Sequence, residues 1–235
     1  MEKAKFTVKT FDYFNQAEKN KDNSDWFNKN KSQYELHVKN PFTILITDLK
    51  KEFQKDFPHI PITPKNISRP MRPLNRAERE GGLIKNFSHI SIAEKRSSLF
   101  EWNPGIHLQI GTKEVGSYLG LGLYMVSGRQ LSLLRSGLIQ DFDLVHSILK
   151  SKKIKSSWGE IKGEKYKRFP KGFDENDPAS LYLWNKQFYL SQDFNQKDIM
   201  AKDFSKKVIT DIKAALPLLL WIQETVGVYK SAKNY

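Results

Sequence analysis

Four guanidinium groups fall within eleven residues, Arg69, Arg72, Arg76 and Arg79, with only Glu78 and Glu80 as local carboxylates. Pairing with both acids leaves two arginines for water or an anion, and arginine's planar fork suits bidentate recognition of phosphate or carboxylate. The competing reading is an ion-pair network with acidic residues elsewhere in the fold. His107, in GIHLQIGT, has the side chain that can act as acid or base near neutral pH. Its plainer alternative is a histidine hydrogen-bonded beneath a covering helix. Tyr118 and Tyr124, in VGSYLGLGLYM, offer faces for stacking on a base or ring, or else pack under a helix with the hydroxyl at the edge.

Other chemistries find no support. The chain has no cysteine, which excludes a disulfide scaffold, a thiolate metal site and a cysteine nucleophile. His37, His59, His89, His107 and His146 lie 18 or more residues apart, so none forms the short-spaced pair that a metal site requires. The glycines of VGSYLGLGLYM fall inside a strand pattern rather than at a strand-to-helix turn, unlike a dinucleotide fingerprint. Neither a phosphate loop nor a Gly-x-Ser-x-Gly elbow is present. No metal and no cofactor is expected.

Positive charge is unevenly placed. The net charge is +13, and ten of these charges arise in residues 61–104, with a surplus of 4, and residues 151–172, with a surplus of 6. Segregated surplus gives local positive potential that attracts anions. The first segment is arginine-rich, holding Arg96 besides the cluster above. The second, SKKIKSSWGEIKGEKYKRFPKG, is mostly lysine and suits diffuse attraction to an acidic protein partner, or simply a solvated loop.

The elements that must position these groups follow from periodicity. With 39% hydrophobic residues, 15 Phe and 5 Trp, the chain has the apolar content for a packed core. Residues 1–58 read as helices. One starts near Thr10 with Phe11, Phe14 and Ala17 on one side. A second is capped by Ser24 and carries Trp26, Phe27, Tyr34 and Val38 as a core stripe, and a third is opened by Asn40 and Pro41. Residues 59–82 read as an extended, proline-rich and arginine-rich connector that ends in a helical turn closed by Gly81 and Gly82. Residues 83–126 alternate and predict a small antiparallel sheet. Its apolar face holds Ile106, Leu108, Ile110, Val115, Leu119, Leu121 and Leu123. The opposite face holds His107, Gln109, Gly116, Tyr118, Gly120, Gly122 and Tyr124, where glycines leave a shallow trough between two tyrosines.

Residues 127–235 read as mixed and mainly helical. Ser127 and Gln130 form a capping box, FDLVHSILK is a second helix, and Asp177–Pro178 cap a third. KQFYLSQDF is a possible strand, and one long helix runs from Lys197 to Val226. The sum is a single α+β domain over 1–235: N-terminal helices, a central small antiparallel sheet and C-terminal helices. MEKAKFTVKT carries no apolar run behind its lysines, and the apolar stretch Ala214–Ile222 is far below the ~20 residues a bilayer requires. A cytoplasmic protein without a membrane partner is expected.

Several stretches resemble, in order, a mainly bacterial family catalogued as domain of unknown function twenty-four sixty-one. They are DWFNKNKSQYELHVKNP, YLGLGLYM with QLSLLRSGL, FPKGFDENDP and WNKQFYLSQDF. The resemblance implies a single α+β domain and brings no established activity. It makes Arg135, in QLSLLRSGL, and Lys186, in WNKQF, secondary ligand-binding candidates. Typical members follow the N-terminal helices with Arg-Asp-x-Arg-Phe-Ser-x-Asp-Lys-x-Pro-Tyr-Lys. Here ISRPMRPLNRAEREGGLIKNF keeps the basic character and lacks the Ser-x-Asp-Lys and Pro-Tyr-Lys elements.

Three functions are therefore expected in order of preference. The first is binding of a phosphorylated or nucleic-acid ligand, clamped by Arg69, Arg72, Arg76 and Arg79 beside a glycine-lined sheet face. The second is an enzyme acting on a small anionic substrate through His107. The third is a protein-interaction module that uses residues 151–172.

Overall fold

The computed structural model describes residues 4–94 and 102–227, so Arg96 lies outside the described residues. The helices before the sheet are α1 (Val8–Lys19), α2 (Ser24–Lys29), α3 (Lys31–Tyr34), α4 (Asn40–Phe53) and α5 (Leu74–Ala77). Strands β1 (Phe87–Ala93), β2 (Gly105–Gly111) and β3 (Tyr118–Leu123) follow. Next come α6 (Gly128–Gln140), α7 (Phe142–Lys150), α8 (Lys152–Ser157), α9 (Ser180–Leu183), β4 (Phe188–Asp193), α10 (Gln196–Met200) and α11 (Phe204–Thr225). The four strands make one antiparallel sheet in sequence order, β1-β2-β3-β4, and the class is α+β.

The chain divides into two compact units. The first comprises Met1–Ile92, His107–Leu119 and Asp193–Ile209; the second comprises Ala93–Ile106, Gly120–Gln192 and Thr210–Tyr235.

In the first unit α1 begins at Val8, earlier than periodicity alone suggests. Thr7 is its cap, and Thr10 returns a side-chain bond to the Thr7 amide at 3.2 Å. Asn23, not Ser24, caps α2, accepting from the Trp26 amide at 3.0 Å. Asn40–Pro41 does not open a new helix. The chain stays helical through a π-turn over Glu35–Lys39 and runs directly into α4. Pro41 has no N–H to give the carbonyl of His37 four residues earlier. The buried Thr10 hydroxyl donates to that carbonyl instead, at 2.8 Å.

Phe42, Leu45, Ile46, Leu49 and Phe53 of α4 are buried with Phe11, Phe14, Ala17, Tyr34 and Val38, as the periodicity predicts; Trp26 is only half-buried. Phe6 makes edge-on contacts with Phe42 at 5.2 Å and with Phe204 at 5.9 Å.

In the second unit Ser127 and Gln130 form the expected box. The Gln130 side chain is buried and donates to the Trp102 carbonyl at 2.8 Å. Trp158 donates to the Asp211 carbonyl at 3.0 Å and Trp221 to the Asp141 carboxylate at 2.9 Å, fastening α8 and α6–α7 respectively to α11. KQFYLSQDF does contain a strand, β4. The single helix expected from Lys197 is two, α10 and α11, because Asn195 caps α10 and the chain turns at Ala201 before restarting at Phe204.

Two of the glycines expected on the open sheet face have local backbone reasons of their own. Gly116 lies in the turn between β2 and β3, and Val115 with it. At Gly122 φ is +126°, and a Cβ would sit 2.5 Å from the Phe188 carbonyl oxygen and 2.8 Å from the Tyr189 Cα. The space beside this glycine is occupied by the β4 backbone, so close strand approach accounts for the residue.

Candidate functional site

The arginine-rich connector lies along the β1 edge of the first unit. Ile67 bridges Ile90 in antiparallel fashion and Met71 bridges Ile84. The Ser68 amide donates to the His89 carbonyl at 2.8 Å, the Arg72 amide to the Leu83 carbonyl at 2.8 Å and the Lys85 amide to the Pro70 carbonyl at 2.9 Å. A proline-rich segment cannot sustain a full ladder, since each proline removes a donor, but it can supply these isolated pairs.

That docking carries Arg72 inward. Its side chain is 8% exposed, Nη1 donates to the Gly82 carbonyl at 2.8 Å and the guanidinium stands 5.6 Å from the centre of the Phe87 ring. Gly82, at φ +102°, would place a Cβ 2.9 Å from the Lys21 side chain, so this turn demands glycine.

One carboxylate serves three guanidiniums. Arg76 grips Glu80 through two hydrogen bonds of 2.7 Å; Arg79 lies 3.6 Å and Arg72 Nε 3.8 Å from the same group. The Arg76 hydrogen bond, followed by its charge, holds the Glu80 carboxyl below its usual range against desolvation. Arg69 is exposed. The Lys85 ammonium lies 5.8 Å from the Phe87 ring centre, and burial, reinforced by Arg72 and Arg76, pushes its pKa down to about 8.

From Phe87 a row of rings crosses the sheet face. Phe87 and His89 are near-parallel with centres 6.0 Å apart, His89 and His107 are 4.6 Å apart, and His107 and Tyr118 are near-parallel at 5.6 Å. Alternation on β1, and cross-strand pairing to β2 and β3, put these four on one side. Burial, then the neighbouring His107 and Lys85, lowers the His89 pKa to about 3; burial lowers that of His107 to about 4. His89 Nδ1 is buried with no hydrogen-bond partner among the described residues. The lowered values keep both imidazoles neutral near pH 7, so they stack as uncharged aromatics. Gln109 turns away from the row to donate to the Val115 carbonyl at 3.1 Å.

The other expected residues belong to the second unit. Tyr124, 61% exposed and just past β3, meets Tyr189 edge-on at 5.2 Å. Arg135 has no carboxylate partner among the described residues: its guanidinium lies 5.0 Å from the Tyr166 ring centre and 5.7 Å from that of Phe173, with Nε and Nη2 buried and unbonded. Lys186 pairs with Glu164 at 2.9 Å and sits 5.4 Å from the same Tyr166 ring. Arg135, Phe173 and Lys186 come from three of the stretches that carry the family resemblance.

Sequence reasoning missed Lys85, Phe87 and His89. The signal was the alternation of LIKNFSHISI, which sets 85, 87 and 89 on one face; each residue type taken singly looked ordinary. Among the described residues no group of three or more His, Asp or Glu could hold a metal ion, and no helix is long and apolar enough to cross a membrane.

No curated protein and no solved structure matches the chain. Residues 9–221 match the family described as Conserved hypothetical protein (DUF2461), and the chain belongs to that family.

Proposed function

We propose that the sheet edge of the first unit binds a phosphorylated ligand that carries flat rings, and that single-stranded nucleic acid is the form it takes. The observation behind this reading is the sharing of Glu80 by Arg72, Arg76 and Arg79 at the end of the row Phe87, His89, His107 and Tyr118. Glu80 is shared by three guanidiniums and Glu18 also acts on Arg72, so the cations left for phosphate are the exposed Arg76, Arg79 and Arg69, with Lys85 adding to them. Neutral rings supply the sequence-tolerant part: stacking of a base on an aromatic side chain is worth about 1–3 kcal/mol. A single ring would suit one nucleotide, whereas a row running from β1 to β3 suits several.

Tyr124, Arg135 and Lys186 are not needed for this reading. Arg135 and Lys186 instead hold Tyr166, as the contacts above describe. The test is a titration of the full chain into a labelled single-stranded oligonucleotide of about ten nucleotides, with a mononucleotide as competitor. Binding that the mononucleotide displaces only at large excess supports a polymer. Equal affinity for the two reassigns the site to a phosphorylated small molecule, and no binding of either overturns the reading.

A further inference from the structure

The lysine segment 151–172 is not a loose loop. Lys162 bridges Tyr189 and Lys165 bridges Asn185, both antiparallel, and the Lys186 amide donates to the Glu164 carbonyl at 2.9 Å. The Tyr166 amide donates to the Trp184 carbonyl at 2.8 Å. Residues 162–166 thus run beside 184–189. Arg135 and Lys186 hold the Tyr166 ring, and Lys186 holds the Glu164 carboxylate, so the residues on both sides of Lys165 are anchored.

This arrangement walls a cavity of about 440 Å³ wholly inside the second unit. Lys150 from the end of α7, Lys155 from α8 and Lys165 from the anchored segment line it, with Glu160, Tyr182 and Asn185. None of the three lysines has an ion-pair partner among the described residues, so the lining carries two more positive charges than negative. Asn185 is only 4% exposed and its amide oxygen has no hydrogen-bond partner. A buried acceptor left unmade costs about 1–3 kcal/mol relative to a satisfied one, a cost that a ligand donor would remove. Tyr182 is held in place by a 3.0 Å hydrogen bond to His146 Nδ1, leaving the ring as one wall.

We infer that this cavity binds a small hydroxylated phosphate monoester, with its phosphate at Lys150, Lys155 and Lys165 and a hydroxyl donating to the Asn185 amide oxygen. The three lysines are exposed point charges, which suits a compact dianion and does not demand the bidentate geometry of an arginine site. The acceptors Asn185 and Glu160 suit hydroxyl groups, and the volume admits a sugar phosphate. The cavity is independent of the sheet edge in the first unit.

The experiment is calorimetric titration of the full chain with glucose 6-phosphate, glucose and inorganic phosphate. The expected result is glucose 6-phosphate binding at least tenfold tighter than either of the others. Lys155→Gln with Lys165→Gln should weaken it tenfold or more. Asn185→Leu should abolish the preference over inorganic phosphate while leaving phosphate binding intact. Arg72→Gln with Arg76→Gln should change nothing here, which separates this site from the sheet edge. Equal response to all three compounds, or full binding by the double lysine variant, would overturn the inference. Circular dichroism checks that each variant is folded, and the exposed lysine pair keeps the test decisive if Asn185→Leu is not.

Discussion

The imidazoles of His89 and His107 face each other across β1 and β2 with ring centres 4.6 Å apart, and neither is charged at neutral pH. Their folded pKa values, about 3 and about 4, lie below the ordinary 6.5. The unfolded chain therefore takes up protons first as pH falls. The stability this neutrality contributes is complete above about pH 6.5 and is lost progressively as pH falls toward about 4 for His107 and about 3 for His89. We expect the melting temperature to drop between pH 7 and pH 4.5, the imidazole pair accounting for at most about 3 kcal/mol per ring. His107→Phe keeps a ring in the row and removes a proton site, so its melting temperature should depend less steeply on pH over that range.

If the sheet edge binds an anion as proposed, Lys85 should set its pH dependence. With its folded pKa at about 8, pushed down by burial and by Arg72 and Arg76, the ammonium loses its proton above that pH. Affinity for a phosphate-bearing ligand at the sheet edge should fall several-fold as pH rises from 7 to 9. Lys85→Met should be weaker at pH 7 and nearly flat across the interval; an unchanged profile in that variant would remove Lys85 from the site.

Glu80 competes with any ligand for three guanidiniums. Glu80→Gln should tighten oligonucleotide binding several-fold, because it frees the bidentate grip of Arg76 for phosphate. The pair with Arg76 is exposed and four residues apart, so its loss should cost the fold little. Binding titrations and urea denaturation of the same variant measure the two effects separately.

Gly122 should tolerate no side chain. Gly122→Ala adds a Cβ at φ +126° that meets backbone atoms of Phe188 and Tyr189 inside contact distance. Destabilisation of about 2 kcal/mol or more is expected in urea denaturation. A neutral result would mean that β4 shifts away readily.

Much of this architecture was legible in the residues. The apolar stripes of α1 and α4, the Ser127 box and the alternation of β2 and β3 are local signals, and each element formed close to where its period put it, although α1 starts earlier and Val115 falls in a turn. Two of the misreadings share one cause. Asn40–Pro41 looks like a helix start unless one knows that Thr10, thirty residues earlier, satisfies the carbonyl Pro41 leaves free. That Gly122 must be glycine is not visible unless one knows that β4, over sixty residues later, packs against it.

The candidate site divides the same way. The excess of arginine over acid was countable in the sequence. That Glu80 gathers three of these groups, and that Lys85, Phe87 and His89 share a face with His107 and Tyr118, depends on how the connector docks on β1. The orphaned amide of Asn185 gives no sequence signal, since asparagine is ordinarily a surface residue.

The most direct measurement is the salt dependence of oligonucleotide binding by fluorescence anisotropy, for the wild type and for Arg72→Gln with Arg76→Gln. The account predicts that log K falls linearly with log salt, with a slope near −2 if about three phosphates are contacted, and that the variant loses roughly one unit of slope or more. A salt-independent affinity, or a variant with the wild-type slope and strength, would contradict it.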